Sequence, residues 1–349
     1  MSSVARLTSM VLASGIVLAA CGGGAAAPSP TGAANATAAA QTTTRPLDKV
    51  NIRFSFRANG QYAPFYLALD KGFYRDAGID MELDEGTGGS QVMQTLAAGK
   101  DFLVTPGLDI LVTARSQGAR VKAVAVLQQD TPAGIGILSS SSIKTPADLA
   151  GKTVITSPGA TSNTLFAPFL RANGVNPDSV KLITVGGGQA VPTLLTHKSG
   201  AEAATVFSTD DYVLLQSADP TARLLPYSDK LEMYGVGMVV TEDTIKNNPD
   251  LVRRVVQATL KGHEYAVEHP DEAIDALFNH VQVAGTKAEH LARLKATLAL
   301  FEKTKANGCL GCMTADRFQK MEDLIQQYGA LTKKASNPND YFTNQFVKE

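Results

Sequence analysis

The sequence is poor in several residue types that functional sites often need. It contains no tryptophan, aromatic residues make up 6% of its 349 positions, and cysteine occurs three times. The formal net charge is −1, and long runs of one charge are absent. A chain without a basic patch offers no electrostatic footprint for nucleic acid, so that class of partner is excluded.

Catalytic motifs are also absent. The sequence has no P-loop, no His-Glu-x-x-His and no Gly-x-Ser-x-Gly. Ser157 begins a Ser-Pro-Gly turn, and the adjacent carboxylates Asp210 and Asp211 indicate at most a binding role. We therefore predict no catalytic residue, no cofactor and no enzymatic activity.

The N-terminus is predicted to direct export. Residues 1–20 contain one charge, Arg6, and then an apolar run that ends in Leu-Ala-Ala-Cys21. A short apolar segment that ends in small residues is typical of a signal peptide, and this ending resembles a lipobox. We predict cleavage before Cys21 and lipid on its sulfur, which would anchor the protein to the cell membrane with its body outside; the alternative is an ordinary signal peptide with a chance cysteine. Residues 21–46 comprise the lipidated cysteine and a linker, whose side chains are too small and polar to bury the surface that folding needs.

The stretch from residue 50 to residue 91 predicts the fold class. Residues 50–56 and 79–83 alternate in the manner of strands. A helix beginning near Pro64 lies between them, and the glycine-rich loop 85–90 precedes a second helix. This order predicts a parallel α/β unit, in which ligands bind beyond the carboxyl ends of the strands.

The same order recurs further along the chain. A strand at residues 180–185 leads into a second glycine-rich loop, Gly-Gly-Gly-Gln189, which a helix and another strand follow. Two α/β lobes would each place such loops at one edge. If those edges face each other, a ligand lies between them and hinge bending encloses it.

The first unit also resembles a known family. The resemblance is carried by four segments: YAPFYLALDKGFY at 62–74, AGIDME at 77–82, GTGGS at 86–90 and LAAG at 96–99. They are similar to the substrate-binding proteins of ABC importers for aliphatic sulfonates, nitrate, thiamine-pyrimidine precursors and related vitamins. A fungal relative is a pyrimidine synthase with a cysteine-rich iron-binding motif, and this sequence has no such cluster.

The resemblance implies a two-lobe periplasmic-binding-protein fold of the type II-like kind. Each lobe would be a mostly parallel sheet flanked by helices, with a ligand cleft between the lobes and extra C-terminal helices on lobe one. We expect lobe one to comprise residues 47–130 and 236–349, and lobe two residues 131–235. The crossovers at 128–131 and 224–240 are the hinge candidates. The implied partners are a small-molecule ligand, an ABC permease and its ATPase, and the protein is expected to be a monomer.

The predicted ligand-binding residues belong to loops at the facing edges. They are Arg57, Asn59, Gln61, Tyr62, Gly88, Ser90, Asp109, Gln129, Ser157, Thr161, Ser162, Gly188, Gln189, Asp210 and Tyr234. Aromatic rings with amide and carboxylate groups suit a planar heterocycle, such as riboflavin or a thiamine pyrimidine. Glycine N–H groups and hydroxyls, together with Arg57, would instead suit a sulfonate, taurine or nitrate. A synthase-like enzyme is the alternative of another class.

The remaining cysteines and the histidines have plainer interpretations. Cys309 and Cys312 form a Cys-x-x-Cys, for which a disulfide is expected in an exported protein, since metal binding needs two more ligands and none is near in sequence. The five histidines are scattered, and we interpret each as a surface or helix-end residue.

Overall fold

The structure is a computed structural model that describes residues 46–347, apart from 159, 328–330, 332, 335 and 336 and the side chains of 306 and 307. Arg45–Glu349 form one compact unit. The predicted signal peptide, the lipidation site Cys21 and nearly all of the predicted linker lie outside the described residues.

The described residues form two five-stranded sheets, with strand orders β2-β1-β3-β10-β4 and β7-β6-β8-β5-β9. The strands are β1 Asp48–Phe54, β2 Ile79–Asp84, β3 Leu103–Thr105, β4 Val121–Val126, β5 Ala133–Ile137, β6 Thr153–Thr156, β7 Lys181–Thr184, β8 Ala203–Phe207, β9 Arg223–Pro226 and β10 Gly237–Thr241. In each sheet one strand runs against the other four: β10 is antiparallel to β3 and β4, and β5 is antiparallel to β8 and β9. Lobe one denotes the first sheet with the helices packed on it, and lobe two the second sheet with its helices.

Helices flank both sheets. They are α1 Ala63–Asp70, α2 Phe73–Asp76, α3 Gly89–Ala97, α4 Leu108–Ser116, α5 Thr161–Thr164, α6 Phe166–Ala172, α7 Ala190–Leu195, α8 Asp211–Ala218, α9 Glu242–Asn247, α10 Pro249–Glu268, α11 Pro270–His280, α12 Lys287–Glu302 and α13 Ala315–Gln327. Proline occupies the first turn of α1, α10 and α11, where its missing N–H costs nothing. The two-lobe fold class predicted from the sequence is confirmed.

The core of lobe one follows from the alternation in β1. Ile52 and Phe54 are fully buried and belong to one apolar cluster with Phe65 of α1 and Val256 of α10. A side chain at Gly262 of α10 would meet the Ala68 Cβ at 2.7 Å, so glycine allows α1 and α10 to pack closely. The expected C-terminal helices on lobe one are therefore present.

A short 3-10 helix, Pro146–Leu149, precedes β6, and Thr145 and Asp148 close a capping box at its start. Helix α13 ends at Gln327, and residues 328–330 are not described.

The chain passes between the sheets twice, once between β4 and β5 and once between β9 and β10. The predicted lobe boundaries, at residues 130/131 and 235/236, lie within these two connections. Backbone bonds tie the connections together, because Gly235 N donates to Gln128 O at 3.0 Å and Thr131 N donates to Met233 O at 3.0 Å. Among the described residues, no helix combines the length and apolar character that a membrane crossing requires.

Candidate ligand cleft between the two sheets

The loops that follow the parallel strands of the two sheets meet face to face. Asn59 Nδ2 donates to Asp210 Oδ2 at 3.2 Å, and Thr209 Oγ1 donates to Gln61 Oε1 at 2.7 Å. Both bonds join the loop after β1 to the loop after β8. The two pairs join segments about 150 residues apart in the chain, so they mark where lobe one meets lobe two.

A third contact joins the first turn of α4, which follows β3, to α5, which follows β6. Thr161 Oγ1 donates to Asp109 Oδ1 at 3.0 Å, and Thr164 Oγ1 lies 3.4 Å from Asp109 Oδ2. Asp109 is 5% exposed, and burial raises the pKa of its carboxyl to about 6, against the lowering effect of the Thr161 hydroxyl. Five of the predicted residues thus make contacts between the lobes, in two separate sets: Asn59 and Gln61 with the Thr209–Asp210 segment, and Asp109 with Thr161.

The loop after β1 is held in shape by its own side chains. Asn59 Oδ1 accepts from Gln61 N at 2.9 Å and so caps the 3-10 turn Gly60–Tyr62. The Tyr62 ring stacks on Phe54, with centroids 4.3 Å apart and an interplanar angle of 18°. Burial raises the pKa of the Tyr62 hydroxyl, so it stays protonated at neutral pH.

His290 of α12 accepts a hydrogen bond from the backbone of this turn. Its Nδ1 lies 3.0 Å from Gly60 N, which can only donate, and its Nε2 lies 3.0 Å from the carbonyl oxygen of Ala284. These partners require a neutral ring with the proton on Nε2, and burial lowers the pKa of His290 accordingly. The interpretation of every histidine as a surface or helix-end residue is wrong for His290 and for His263, which are buried in the packing between helices.

Arg293, one turn further along α12, reaches across to lobe two. Its Nε lies 2.6 Å from Asp210 Oδ1, and the two side chains are 12% and 30% exposed. Asp210 therefore forms an ion pair with Arg293 at Oδ1 and accepts a hydrogen bond from Asn59 at Oδ2. Sequence reasoning missed Arg293 and His290, because only the fold brings α12 to the loops that precede it by up to 230 residues in the chain.

The glycines of the loop at residues 85–90 serve different purposes. A side chain at Gly86 would lie 2.2 Å from Phe54 O, and one at Gly89 would lie 2.3 Å from Ile110 Cδ1, so both glycines permit close packing. Gly88 has a φ of 153° and open space beside it, and the exposed Ser90 follows in the first turn of α3. Gly88 and Ser90 therefore lie at the helix start where they were expected.

The corresponding loops of lobe two form a connected pair. Ser157 Oγ donates to the carbonyl oxygen of Gly186 at 3.1 Å, which ties the loop after β6 to the loop after β7. Gly188 has a φ of 74°, and Gln189 beside it is exposed. Ser162 is buried, and its carbonyl oxygen accepts from the Tyr227 hydroxyl at 2.9 Å, so Ser162 belongs to the packed base of its loop.

Three predicted residues are placed differently from the five that meet across the cleft. Tyr234 is buried, its hydroxyl accepts from Thr314 N at 2.9 Å, and the Arg317 guanidinium lies 4.6 Å from its ring centre. These contacts belong to the packing of α13 and give no support to a ligand-stacking role. Gln129 donates its backbone N–H to Leu300 O at 3.1 Å, and Arg57 is exposed in the loop after β1.

Metal and disulfide chemistry can be described only within the described residues. There, no three or more His, Cys, Asp or Glu side chains are grouped as a metal ion would require. Cys309 and Cys312 are bonded through their sulfurs. The Gly311 carbonyl oxygen of this loop accepts from Val126 N at 2.9 Å, beside the first crossover.

Known proteins are similar to this chain in sequence and in fold. A family model described as NMT1/THI5 like matches residues 59–273. The chain is 30% identical to riboflavin-binding protein RibY of Chloroflexus aurantiacus, over 92% of this chain and 93% of that protein. It is 23% identical to the formylaminopyrimidine-binding protein of Halalkalibacterium halodurans, over 79% and 84% of the two chains. Proteins named as 4-amino-5-hydroxymethyl-2-methylpyrimidine phosphate synthases match at 22–24% identity.

Among solved structures, the periplasmic aliphatic sulphonate binding protein SsuA of Escherichia coli superimposes with a TM-score of 0.67. The match covers 86% of this chain and 94% of that one at 15% identity, which is a likeness of fold. The family model covers well over half of the chain, and the likeness to RibY extends over nearly all of it. The chain therefore belongs to the NMT1/THI5-like family and has the fold of a periplasmic binding protein.

Proposed function

We propose that this protein is the substrate-binding component of an ABC importer and that it captures a small vitamin-type heterocycle, riboflavin or a thiamine-pyrimidine precursor, between its lobes. The observation that carries the proposal is the meeting of Asn59 and Gln61 with Asp210 and Thr209 across the cleft. A protein that encloses its ligand needs such contacts to close over it. The similarity to a riboflavin-binding protein along nearly the whole chain supports the ligand class.

The charges near the cleft favour a neutral ligand over an anion. Asp109 and Asp210 both lie at the meeting of the lobes, and Glu85 accepts from Ala58 N at 2.8 Å in the same loop region. The nearby cation Arg293 is already paired with Asp210. A sulfonate or nitrate placed there would be repelled by the carboxylates, whereas a heterocycle with N–H donors would find acceptors.

We propose Tyr62, which is 8% exposed in this structure, as the aromatic residue that a heterocycle would stack on. Its ring is supported from behind by Phe54, which fixes its plane, and its hydroxyl stays protonated. A ring held by stacking in this way is preorganised for a planar ligand. The other predicted contacts in the loops, such as Ser90 and Gln189, would supply hydrogen bonds around the edge of that ligand.

Two alternatives remain as outcomes of the test. Arg57 is exposed beside the cleft and could serve a sulfonate, taurine or nitrate together with the N–H groups at the start of α3. A synthase-like enzyme is the other alternative, since some relatives carry that name. Chemical conversion of the bound heterocycle would distinguish an enzyme from a binding protein.

Export and membrane attachment belong to the same proposal. Residues 1–20 would direct export, lipid on Cys21 would hold the protein at the membrane, and residues 22–44 would tether the compact unit. Each buried CH₂ of an acyl chain contributes about 0.8 kcal/mol, so several chains on one residue anchor firmly. A permease and its ATPase would take the ligand from the cleft.

A thermal-shift panel on Arg45–Glu349 tests the ligand class. The panel contains riboflavin, thiamine, formylaminopyrimidine, taurine, alkyl sulfonates and nitrate. A ligand that binds only the folded state adds about 2.7 kcal/mol of stability at a hundred times its Kd, which shifts the transition visibly. We expect a shift with a heterocycle and none with the anions; a shift with sulfonate alone would overturn the ligand class.

A further inference from the structure

One helix of the C-terminal region touches both sides of the cleft. His290 of α12 accepts from Gly60 N in lobe one, and Arg293 lies against Asp210 in lobe two. At the other end of the same helix, Leu300 O accepts from Gln129 N in the first crossover at 3.1 Å. Helix α12 therefore follows the junction of the lobes from the cleft loops to the hinge.

We propose that Arg293 is a positioning residue whose ion pair with Asp210 latches the lobes together and thereby sets the affinity for ligand. The ligand readout rests on the proposed function, whereas the latch itself does not. Both carboxylate oxygens of Asp210 have a partner from lobe one, Arg293 at Oδ1 and Asn59 at Oδ2. Its role in this arrangement is to join three segments: α12, the loop after β1 and the loop after β8.

The surroundings make this pair stronger than an ordinary surface pair. Both side chains are less than one-third exposed, so solvent screens their attraction less than it does for fully exposed charges. His290 is neutral and one turn away, so it does not compete for the carboxylate. Because His290 bonds to Gly60, and Asn59 is the residue immediately before Gly60, α12 sets the position of both partners that Asp210 meets.

The latch is tested by measuring the distance between the lobes directly. Exposed Lys100 of lobe one and exposed Lys198 of lobe two are replaced by cysteine and spin-labelled in Arg45–Glu349, where Cys309 and Cys312 are bonded to each other. Distance distributions are then recorded with and without riboflavin for the parent, Arg293→Gln, Asp210→Asn and the double variant. The control is Arg254→Gln, because Arg254 pairs with Asp48 at 2.7 Å within lobe one at similar exposure.

We expect Arg293→Gln and Asp210→Asn each to move the distribution to longer distances and to weaken riboflavin binding by roughly 10–100-fold, since removing one partner leaves the other desolvated and unpaired. The double variant should show no longer distances and no weaker riboflavin binding than either single variant, because the two residues act as one pair. Arg254→Gln should leave the distances unchanged.

Parent-like distances in the folded Arg293→Gln and Asp210→Asn proteins would overturn the latch. If riboflavin binds none of the proteins but the variants still open, the latch is supported and the ligand class fails. If Arg293→Gln does not fold, Arg293→Lys and Asp210→Asn carry the test, with the same expected opening in Asp210→Asn and a smaller one in Arg293→Lys.

Discussion

Asp109 is a single carboxyl that makes the stability of this protein depend on pH. Burial raises its pKa from 3.8 to about 6, so the folded protein binds a proton there more tightly than the unfolded chain does. The resulting stability is present below about pH 4 and is lost as the pH rises to about 6, with a total of about 3 kcal/mol. Asp109→Asn should remove this loss. The free energy of unfolding of the variant should therefore rise relative to that of the parent between about pH 4 and pH 6.

Denaturant unfolding of the two proteins at several pH values between 4 and 8 measures the difference. The asparagine keeps an acceptor for Thr161, so the comparison isolates the charge. Unfolding free energies that run parallel across the whole range would show that Asp109 titrates normally.

His263 makes the stability depend on pH with the opposite sign. Burial lowers its pKa from 6.5 to about 4, against the favourable bond from its Nδ1 to Thr259 O. The unfolded chain therefore binds the extra proton, and stability is lost as the pH falls from about 6.5 to about 4, by about 3 kcal/mol. His263→Gln should lose less stability on acidification than the parent does.

The same unfolding series tests this variant. The Asp109 and His263 contributions have opposite signs over overlapping pH ranges, so the two variants should differ from the parent in opposite directions. A His263→Gln profile that matches the parent would contradict the assignment.

The sequence reveals cleft residues only when they lie beside a recognisable turn. Asn59 and Gln61 adjoin the break after β1, and Asp109 and Asp210 follow strands, so the rule about strand ends finds them. Arg293 and His290 lie within a helical pattern that looks like any other. Nothing in their local sequence shows that they face the cleft, because that depends on where α12 packs.

At the scale of elements, the 3-10 turn Gly60–Tyr62 is clamped against α12. A side chain at Gly60 would lie 2.0 Å from the backbone oxygen of His290. Gly60→Ala should therefore force the turn and the helix apart and destabilise the protein by about 1–3 kcal/mol. The backbone of Gly60 is not in the left-handed region, so the effect would come from the clash.

Gly187→Ala is the matched control. Gly187 has open space where a Cβ would lie, so alanine there should be neutral or stabilise slightly by restricting the unfolded chain. Thermal unfolding of both variants measures the contrast. Equal midpoints for Gly60→Ala and the parent would mean that the turn is not pressed against α12.

Strands and most helices were predictable because their burial follows a simple period. Ile52 and Phe54 alternate with half-buried neighbours, and the buried face of α10 recurs at helical spacing. The C-terminal helices were expected to cover lobe one, and α12 also contacts lobe two through Arg293. That second contact depends on long-range geometry, which periodicity does not encode.

At the scale of the whole molecule, the proposed anchor depends on one residue. Cys21→Ser should remove the lipid site while leaving the compact unit Arg45–Glu349 unchanged. We expect the parent in the membrane fraction and the variant in the soluble exported fraction, as measured by fractionation and by mass spectrometry of the N-terminal peptide. An unmodified Cys21 in the parent would contradict the anchor.

The central claim is that the cleft takes a neutral heterocycle. The most direct measurement is an equilibrium titration of riboflavin with Arg45–Glu349, followed by flavin fluorescence, in the absence and presence of excess taurine, alkyl sulfonate and nitrate. The account predicts saturable binding at one site with a Kd of about 1 μM or tighter, no competition by the anions, and weaker binding to Tyr62→Leu. Saturable binding of a sulfonate, with none of riboflavin, would contradict it.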